Sequence, residues 1–334
     1  MPIPPEGNLT AMPGEAPGRR PPSDKACGTQ ERVTLERLVG LLACPACWGR
    51  VRLSPARPTL LCNGCGAGYP IVDGVPIMLT ASCQSRLDSG KEADPTVGLP
   101  RPWWIVWFGR LVRATSLGGP SYDPDQEKRI RAMIHQLGPE ANILDLGSGG
   151  RCWGSTVVGM DIDRFANVGV VGDGHQLPFA DRVLDGIICT GVLEHVNDAE
   201  AVTREVWRVL RPGGMVYVAV PFIQGYHPAS GTHQDFRRLT HIGLQHLFSS
   251  FEQVNFGVSG GPSSSLAWIL REYLAMLFVG RGRLYQIAYL VSGWLTVWIK
   301  YLDCFLVRRE AAHRIACGFY FLGRKPEDHP WDDG

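Results

Sequence analysis

The stretch Asn142–Gly150 reads NILDLGSGG: a short apolar run, Ile143 to Leu146 with Asp145 near its end, passes straight into Gly147, Ser148, Gly149 and Gly150. Such a run reads as a buried parallel strand, and the glycines as a turn where absent side chains let backbone amides approach a ligand. Working outward, VVGMDIDR (157–164) belongs to a second apolar run, Thr156 to Met160, closed by Asp161. An acid at that place takes both ribose hydroxyls. A third run, Val168 to Val171 with Gly172, opens the segment VVGDGHQLPFADRVLDGIICTGVLEHV (170–196) and is closed by Asp173, whose carboxylate suits an adenine amino group. A helix from Asp198 to Leu210 then ends at the Arg211-Pro212-Gly213-Gly214 break. Strand, turn, strand, turn in this order builds an adenosine pocket.

At these residues the chain resembles the class I S-adenosylmethionine (SAM)-dependent methyltransferases, and within them the type 11 branch. Leu177, Pro178, Phe179 and Asp181 match its LPF segment, and Leu193, Glu194, His195 and Val196 its LEHV segment. The resemblance implies an α/β fold, a doubly wound, mostly parallel sheet of seven strands. It also implies a cofactor set of Asp145, Gly147, Ser148, Gly149, Asp161, Asp173, Gly174 and Thr190, with Asp163 as the alternative ribose acid. The rivals are an NAD-binding Rossmann domain and a non-catalytic scaffold that binds cofactor for stability. Against NAD, the turn is GxGG rather than GxGxxG, and Asp161 follows Asp145 early. Two departures from the family pattern stand out. Arg151 occupies the place of a further glycine, and Arg151 to Ser155 is too short for a normal first helix, so the helix-dipole contribution at the turn is reduced. Arg151 is read either as a partner of the methionine carboxylate or as a solvated loop residue.

A second pattern is Cys44-Pro45-Ala46-Cys47 followed by Cys62-Asn63-Gly64-Cys65. Paired CxxC knuckles bring four thiolates into a tetrahedron that suits structural zinc. The surroundings, LVGLLACPAC (38–47) and LCNGCGAGYPIVDGVPIML (61–79), resemble the small zinc-ribbon protein that activates RNA and protein methyltransferases, here in one chain with a methyltransferase-like region. Cys27, Cys83, Cys152, Cys189, Cys304 and Cys317 are scattered without a disulfide framework, and no secretory signal opens the chain, which points to a reducing cytoplasm. The ribbon is expected to keep its own core, separate from the parallel sheet.

The 334 residues accommodate one α/β domain and a small appendage, and a formal net charge of +1 gives no global nucleic-acid signature. The reading divides the chain into a disordered tail (1–30), the ribbon (31–81), a linker with an aromatic and basic helix (82–120), the methyltransferase domain (121–325) with a helical insertion (259–312), and a short tail (326–334).

After Gly214 comes MVYVAVPF, a buried fifth strand, and then a polar stretch that includes Tyr226, His227, His233, Asp235, Arg238 and Thr240. Loops at the carboxyl ends of parallel strands border the ligand crevice, which makes this the wall of the acceptor site. The segment HQDFRRLTHIGLQHLF (233–248) resembles the DYxRxT segment of a methyltransferase subgroup found among cell-surface polysaccharide enzymes. The resemblance implies O-methylation of a glycan or lipid-linked saccharide hydroxyl, with His227, His233 and Asp235 as candidates for the base or for acceptor hydrogen bonds. Thr240 reads as a helix cap. The alternative acceptor is RNA or a translation protein, kept open by Arg50, Arg52 and Arg57 on the ribbon.

Phe251 to Val258 and Ile315 to Leu322 read as the sixth and seventh strands, normally a hairpin, here separated by a long apolar insertion. Its apolar runs, Leu266 to Val279 and Leu284 to Val307, are interrupted by charge, and Leu284 to Ile299 falls short of the ~20 residues a span needs. Trp294, Trp298, Tyr285, Tyr289 and Tyr301 with flanking arginines suit a helix lying in a membrane interface, as do Trp103, Trp104, Trp107 and Phe108 beside Arg101, Arg110 and Arg113. Internal packing and a homodimer surface are the alternatives. The corresponding expectation for location is cytoplasmic, peripheral at the inner membrane.

Overall fold

The computed structural model describes residues 35–81, 83, 123, 125–226, 234–278 and 283–327. The 1–30 tail, nearly all of the 82–120 region with its Trp103, Trp104, Trp107 and Phe108 cluster, His227 and His233 lie outside the described residues.

Helix α1 (Leu35–Leu41) leads into β1 (Val51–Leu53), β2 (Thr59–Cys62), β3 (Gly68–Val72) and β4 (Val75–Met78), each antiparallel to the one before. Asp73 and Gly74 join β3 to β4 with φ of 50° and 79°, the left-handed pair that a two-residue hairpin turn requires. There follow α2 (Gln126–Leu137), β5 (Ile143–Leu146), β6 (Val157–Asp161), β7 (Val170–Gly172), β8 (Leu184–Thr190), α3 (Ala199–Val209), β9 (Leu210–Pro221), α4 (His241–Leu247) and β10 (Glu252–Gly260). Between β10 and the last strand, β11 (Gly318–Arg324), lie α5 (Pro262–Met276), α6 (Arg283–Thr296), α7 (Asp303–Leu306) and the 3-10 segments Val297–Leu302 and Glu310–Ile315.

The strands form one sheet in the order β1-β2-β3-β4-β7-β6-β5-β8-β9-β11-β10. From β4 to β9 across the middle of the sheet the neighbours are parallel, and β11 is antiparallel to both β9 and β10. The central strands β5 and β8 are buried at every position, as continuous apolar runs in a two-sided parallel sheet must be. Successive residues alternate between faces. Leu144, Leu146 and Ile187 pack with Val202, Val206 and Val209 of α3, whereas Ile143 and Ile188 pack with Ile130 and Met133 of α2. Asp198 caps α3 by accepting from Ala201 N at 2.8 Å, and Thr240 caps α4 by accepting from Gly243 N at 3.0 Å.

One expectation is corrected here, that of a ribbon packed apart from the parallel sheet. The ribbon's four strands and the seven strands β5 to β11 of the methyltransferase region form one sheet of eleven, because β4 adds to the edge strand β7 in parallel, with Ile77 opposite Val171 and Met78 opposite Gly172. The ribbon's core is also not separate: Leu38, Leu42, Leu60, Tyr69 and Met78 belong to the same apolar cluster as Leu146, Phe179 and Val202. The LPF segment is the clamp. Ala43 N donates to Pro178 O at 3.1 Å and Ala180 N to Leu41 O at 2.9 Å, while Arg208 reaches Phe179 O at 2.8 Å and stacks its guanidinium 4.0 Å from the Trp48 ring centre.

No helix forms between β5 and β6. Trp153 from that short crossover packs with α2 instead. At the other end of the molecule Asp303 is buried and caps α5 from a distance, taking Ser263 N and Ser264 N at 2.8 Å each and Ser264 Oγ at 2.7 Å.

Candidate cofactor site and metal centre

Cys44, Cys47, Cys62 and Cys65 come together with all four sulfurs within 4.8 Å of one another. The separations of 3.7 Å (Cys44–Cys65) and 3.4 Å (Cys47–Cys62) approach the roughly 3.8 Å edge of a tetrahedron with Zn–S bonds of about 2.3 Å. The amide of Cys65, together with that of Gly64, points at the Cys62 sulfur from 3.4 and 3.3 Å and lowers its pKa to about 6 against the opposing effect of burial. That favours the thiolate, the form that binds metal. Tyr69 adds an outer hydrogen bond to Cys44 Sγ at 3.0 Å, with desolvation holding the phenol protonated. This donor set fits zinc.

The expected cofactor residues lie at the carboxyl ends of adjacent strands: Asp173 after β7, Asp161 closing β6, Gly147 to Gly149 after β5, and Thr190 closing β8. Gly147 (φ 67°) must be glycine, since a Cβ there would stand 2.3 Å from Val192 Cγ2. A Cβ on Gly149 (φ 55°) would meet nothing, so this part of the turn faces open space. The amides behave differently from the simple expectation of a ligand-facing turn. Those of Gly147 and Ser148 are tied to Met160 O at 2.9 and 3.0 Å, and that of Gly149 donates to Asp161 Oδ2 at 2.8 Å. Asp161 Oδ1 also accepts from Asp163 N at 3.1 Å. The turn therefore presents an oriented carboxylate more than a row of amides, and a carboxylate is what ribose hydroxyls need.

Asp173 is buried. Burial pushes its carboxyl up, but the ring and amide of His175, at 2.7 and 2.9 Å from Oδ1, more than offset this and leave the pKa at about 2. Gly174 follows it, beside Leu146 and Val202. Asp145 is buried as well, with Oδ1 accepting from Arg151 Nη2 and Oδ2 from Trp153 Nε1, both at 3.0 Å. Arg151 also reaches Gly147 O at 3.0 Å, Ser148 O at 3.2 Å and Thr190 Oγ1. Arg151 is thus packed into the crevice between β5 and β8, and the solvated-loop reading of it is set aside. Trp153 and His175 were missed as site residues; their only sequence signal is a position in loops at the strand ends. Cys152, next to Arg151, is disulfide-bonded, and the other described cysteines are free.

On the acceptor side, the segment from Gln234 lies against LEHV: Phe236 N donates to Glu194 O at 2.7 Å, and His195 Nδ1 lies 3.1 Å from Gln234 O. The Asp235 side chain is buried and gripped by Arg238, with Nη2 to Oδ2 at 2.6 Å. The guanidinium fixes the orientation of the Asp235 carboxylate beside the acceptor wall. Arg238 Nη2 reaches on to Gly225 O at 3.1 Å, and Gly225 lies against Trp268 and Glu272 of α5.

Known proteins match two separate parts of this chain. The model of a methyltransferase domain matches residues 144–218 and that of a Trm112p-like protein residues 36–74. Over 60 residues, 18% of this chain, the sequence is 43% identical to a UPF0434 protein of Bordetella pertussis and covers 95% of it. Over 110 residues, 29% of this chain, it is 32% identical to the ubiquinone/menaquinone biosynthesis C-methyltransferase UbiE of Desulfotalea psychrophila and covers 43% of it. Among solved structures the chain is similar to phosphoethanolamine N-methyltransferase 2 of Haemonchus contortus, at 17% identity and a TM-score of 0.38 over 66% of this chain and 57% of that one. The chain thus belongs, through its N-terminal ribbon, to the Trm112p-like UPF0434 family and is a SAM-dependent methyltransferase with that ribbon built into its sheet.

Proposed function

We propose that the methyl group goes to a hydroxyl of a lipid-linked saccharide presented at a membrane surface. The observation that carries this reading is the apolar face beside the acceptor wall. On α5 and at its C-terminal cap, Leu266, Ile269, Tyr273, Met276 and Leu277 are exposed, and on α6 so are Leu284, Ile287, Val291, Trp294 and Leu295. Each set recurs every three or four residues, so each is one stripe along its helix. Beyond them Trp298 is 61% and Phe305 71% exposed. Arg308, Arg309 and Arg314 are also exposed there, whereas Asp303, the acid closest to them in sequence besides Glu310, is buried. An apolar face edged with arginine fits an anionic bilayer. No helix among the described residues is long and apolar enough to cross a membrane, so contact at the surface is the arrangement proposed.

When bound, the cofactor supplies a sulfonium methyl: the acceptor oxygen bonds the methyl carbon, the carbon–sulfur pair goes to sulfur, and the hydroxyl proton leaves to a base or to water. Asp161 and Asp173 hold the nucleoside, and the loop after β9 with the segment from Gln234 orients the hydroxyl, where placement supplies most of the rate. His227, His233 and Asp235 are the candidates for the base or for hydrogen bonds to the acceptor.

The test is methyl transfer from labelled cofactor to three acceptor pools: a lipid-linked saccharide extract, RNA and ribosome-associated protein. Label in the saccharide supports the reading. Label confined to RNA or protein overturns it in favour of the second reading, which the exposed Arg50, Arg52 and Arg57 of the ribbon keep in play.

A further inference from the structure

We infer that Arg151 recognises the α-carboxylate at the amino-acid end of the cofactor and is the residue that sets the site's preference for SAM over simpler nucleosides. This rests on the cofactor reading and deepens it.

The strand order supplies the direction. Neighbouring strands run β7, β6, β5, β8, with Asp173 at the end of the first and Asp161 at the end of the second. A nucleoside held by those acids extends its remaining atoms over the ends of β5 and β8. The cation standing there is Arg151, whose guanidinium bridges Asp145 Oδ1 on β5 and Thr190 Oγ1 on β8.

The local chemistry supplies the reason. In a sheet of this type, the helix after β5 would turn its N-terminal amides and positive dipole end toward an anion at the glycine turn. Here that helix is absent, and the amides of Gly147, Ser148 and Gly149 are already committed to Met160 and Asp161. Positive charge at the turn must come from a side chain. Arg151 directly follows the glycine turn, and its side chain folds back over it to Gly147 O and Ser148 O. Of its five N–H groups, Nε–H, both on Nη2 and one on Nη1 are used. The second Nη1 N–H has no partner among the described residues and is the donor offered to a carboxylate. Asp145 meets Arg151 through Oδ1 only, its second oxygen accepting from Trp153, so the pair is not the bidentate one that would occupy the whole guanidinium edge.

The experiment is isothermal titration of S-adenosylhomocysteine, which carries the carboxylate, and of 5′-methylthioadenosine, which lacks the whole amino-acid end. The full chain is used as wild type, Arg151→Met and Arg151→Lys. A charge-assisted hydrogen bond lost at a partly buried site predicts about a ten- to hundredfold loss of S-adenosylhomocysteine affinity in Arg151→Met. Methylthioadenosine affinity should stay within about twofold, and Arg151→Lys should recover part of the loss. Retained methylthioadenosine binding also reports that the variant is folded. If Arg151→Met binds both ligands more tightly, Arg151 is a plug, and if it loses both equally, its role is structural; either outcome overturns the inference alone. Wild type that binds neither ligand overturns the cofactor reading and this inference with it.

Discussion

Ile77 in β4 lies opposite Val171 in β7 in parallel register, and one residue further Met78 lies opposite Gly172, the residue before Asp173. The ribbon's last strand therefore supports the backbone from which Asp173, a residue proposed to hold the cofactor, projects. Its core is continuous with that of the sheet, through Leu60, Tyr69 and Met78.

Zinc removal should consequently destabilise the whole chain. Scanning calorimetry of wild type with and without chelator, and of Cys62→Ser, should show a single transition that moves to lower temperature, because metal binding is folding free energy and the core is shared. S-adenosylhomocysteine affinity should fall alongside it. Two resolved transitions, with the upper one insensitive to chelator, would mean the ribbon unfolds by itself.

Asp161→Ala should weaken S-adenosylhomocysteine binding about ten- to hundredfold, the loss of hydrogen bonds from ribose hydroxyls to a charged acceptor. The Gly149 and Asp163 amides would lose their acceptor too. Titration calorimetry decides it. Unchanged affinity would transfer the ribose role to Asp163.

The Asp173 carboxyl, normally near 3.8, is held at about 2 in the folded protein. A depressed folded-state pKa contributes stability that is present above the unfolded value and lost as pH falls through the folded one. The window is thus from about pH 4 down to about pH 2. Asp173→Asn should flatten the acid limb of stability in that window. Equilibrium unfolding at several acid pH values, wild type against variant, reads this directly; parallel limbs would refute it.

The arginine-edged apolar face should hold the protein to anionic vesicles, with binding that weakens in salt without vanishing. Trp294→Glu combined with Trp298→Glu should release it while leaving S-adenosylhomocysteine binding intact, since these rings are exposed and the cofactor site is built on other strands. Vesicle flotation and size-exclusion chromatography are read together. Wild type that stays at the bottom of the gradient, with a dimer lost in the double variant, would assign the face to a second copy of the chain.

Much of this molecule was legible in linear order, because the relevant chemistry is local. Two CxxC pairs specify a metal knuckle by spacing, Asp198 and Thr240 announce helix starts by capping the third amide on, and apolar runs closed by Asp161 and Asp173 place acids at strand ends. The sequence also showed that no normal helix fits between Arg151 and Ser155. What it could not contain were relationships between residues far apart in the chain. The pairing of Met78 with Gly172 is one such relationship, since backbone hydrogen bonds across a sheet carry no side-chain signature. The same holds for the LPF segment as a clamp on Ala43 and Arg208, for the burial of Asp235 against Arg238, and for Asp303 capping α5. Arg151 shows the division within one residue. Its presence in a glycine turn was visible as an oddity, but whether a long flexible cation points to water or to Asp145 and Thr190 is settled by the surfaces that fold around it.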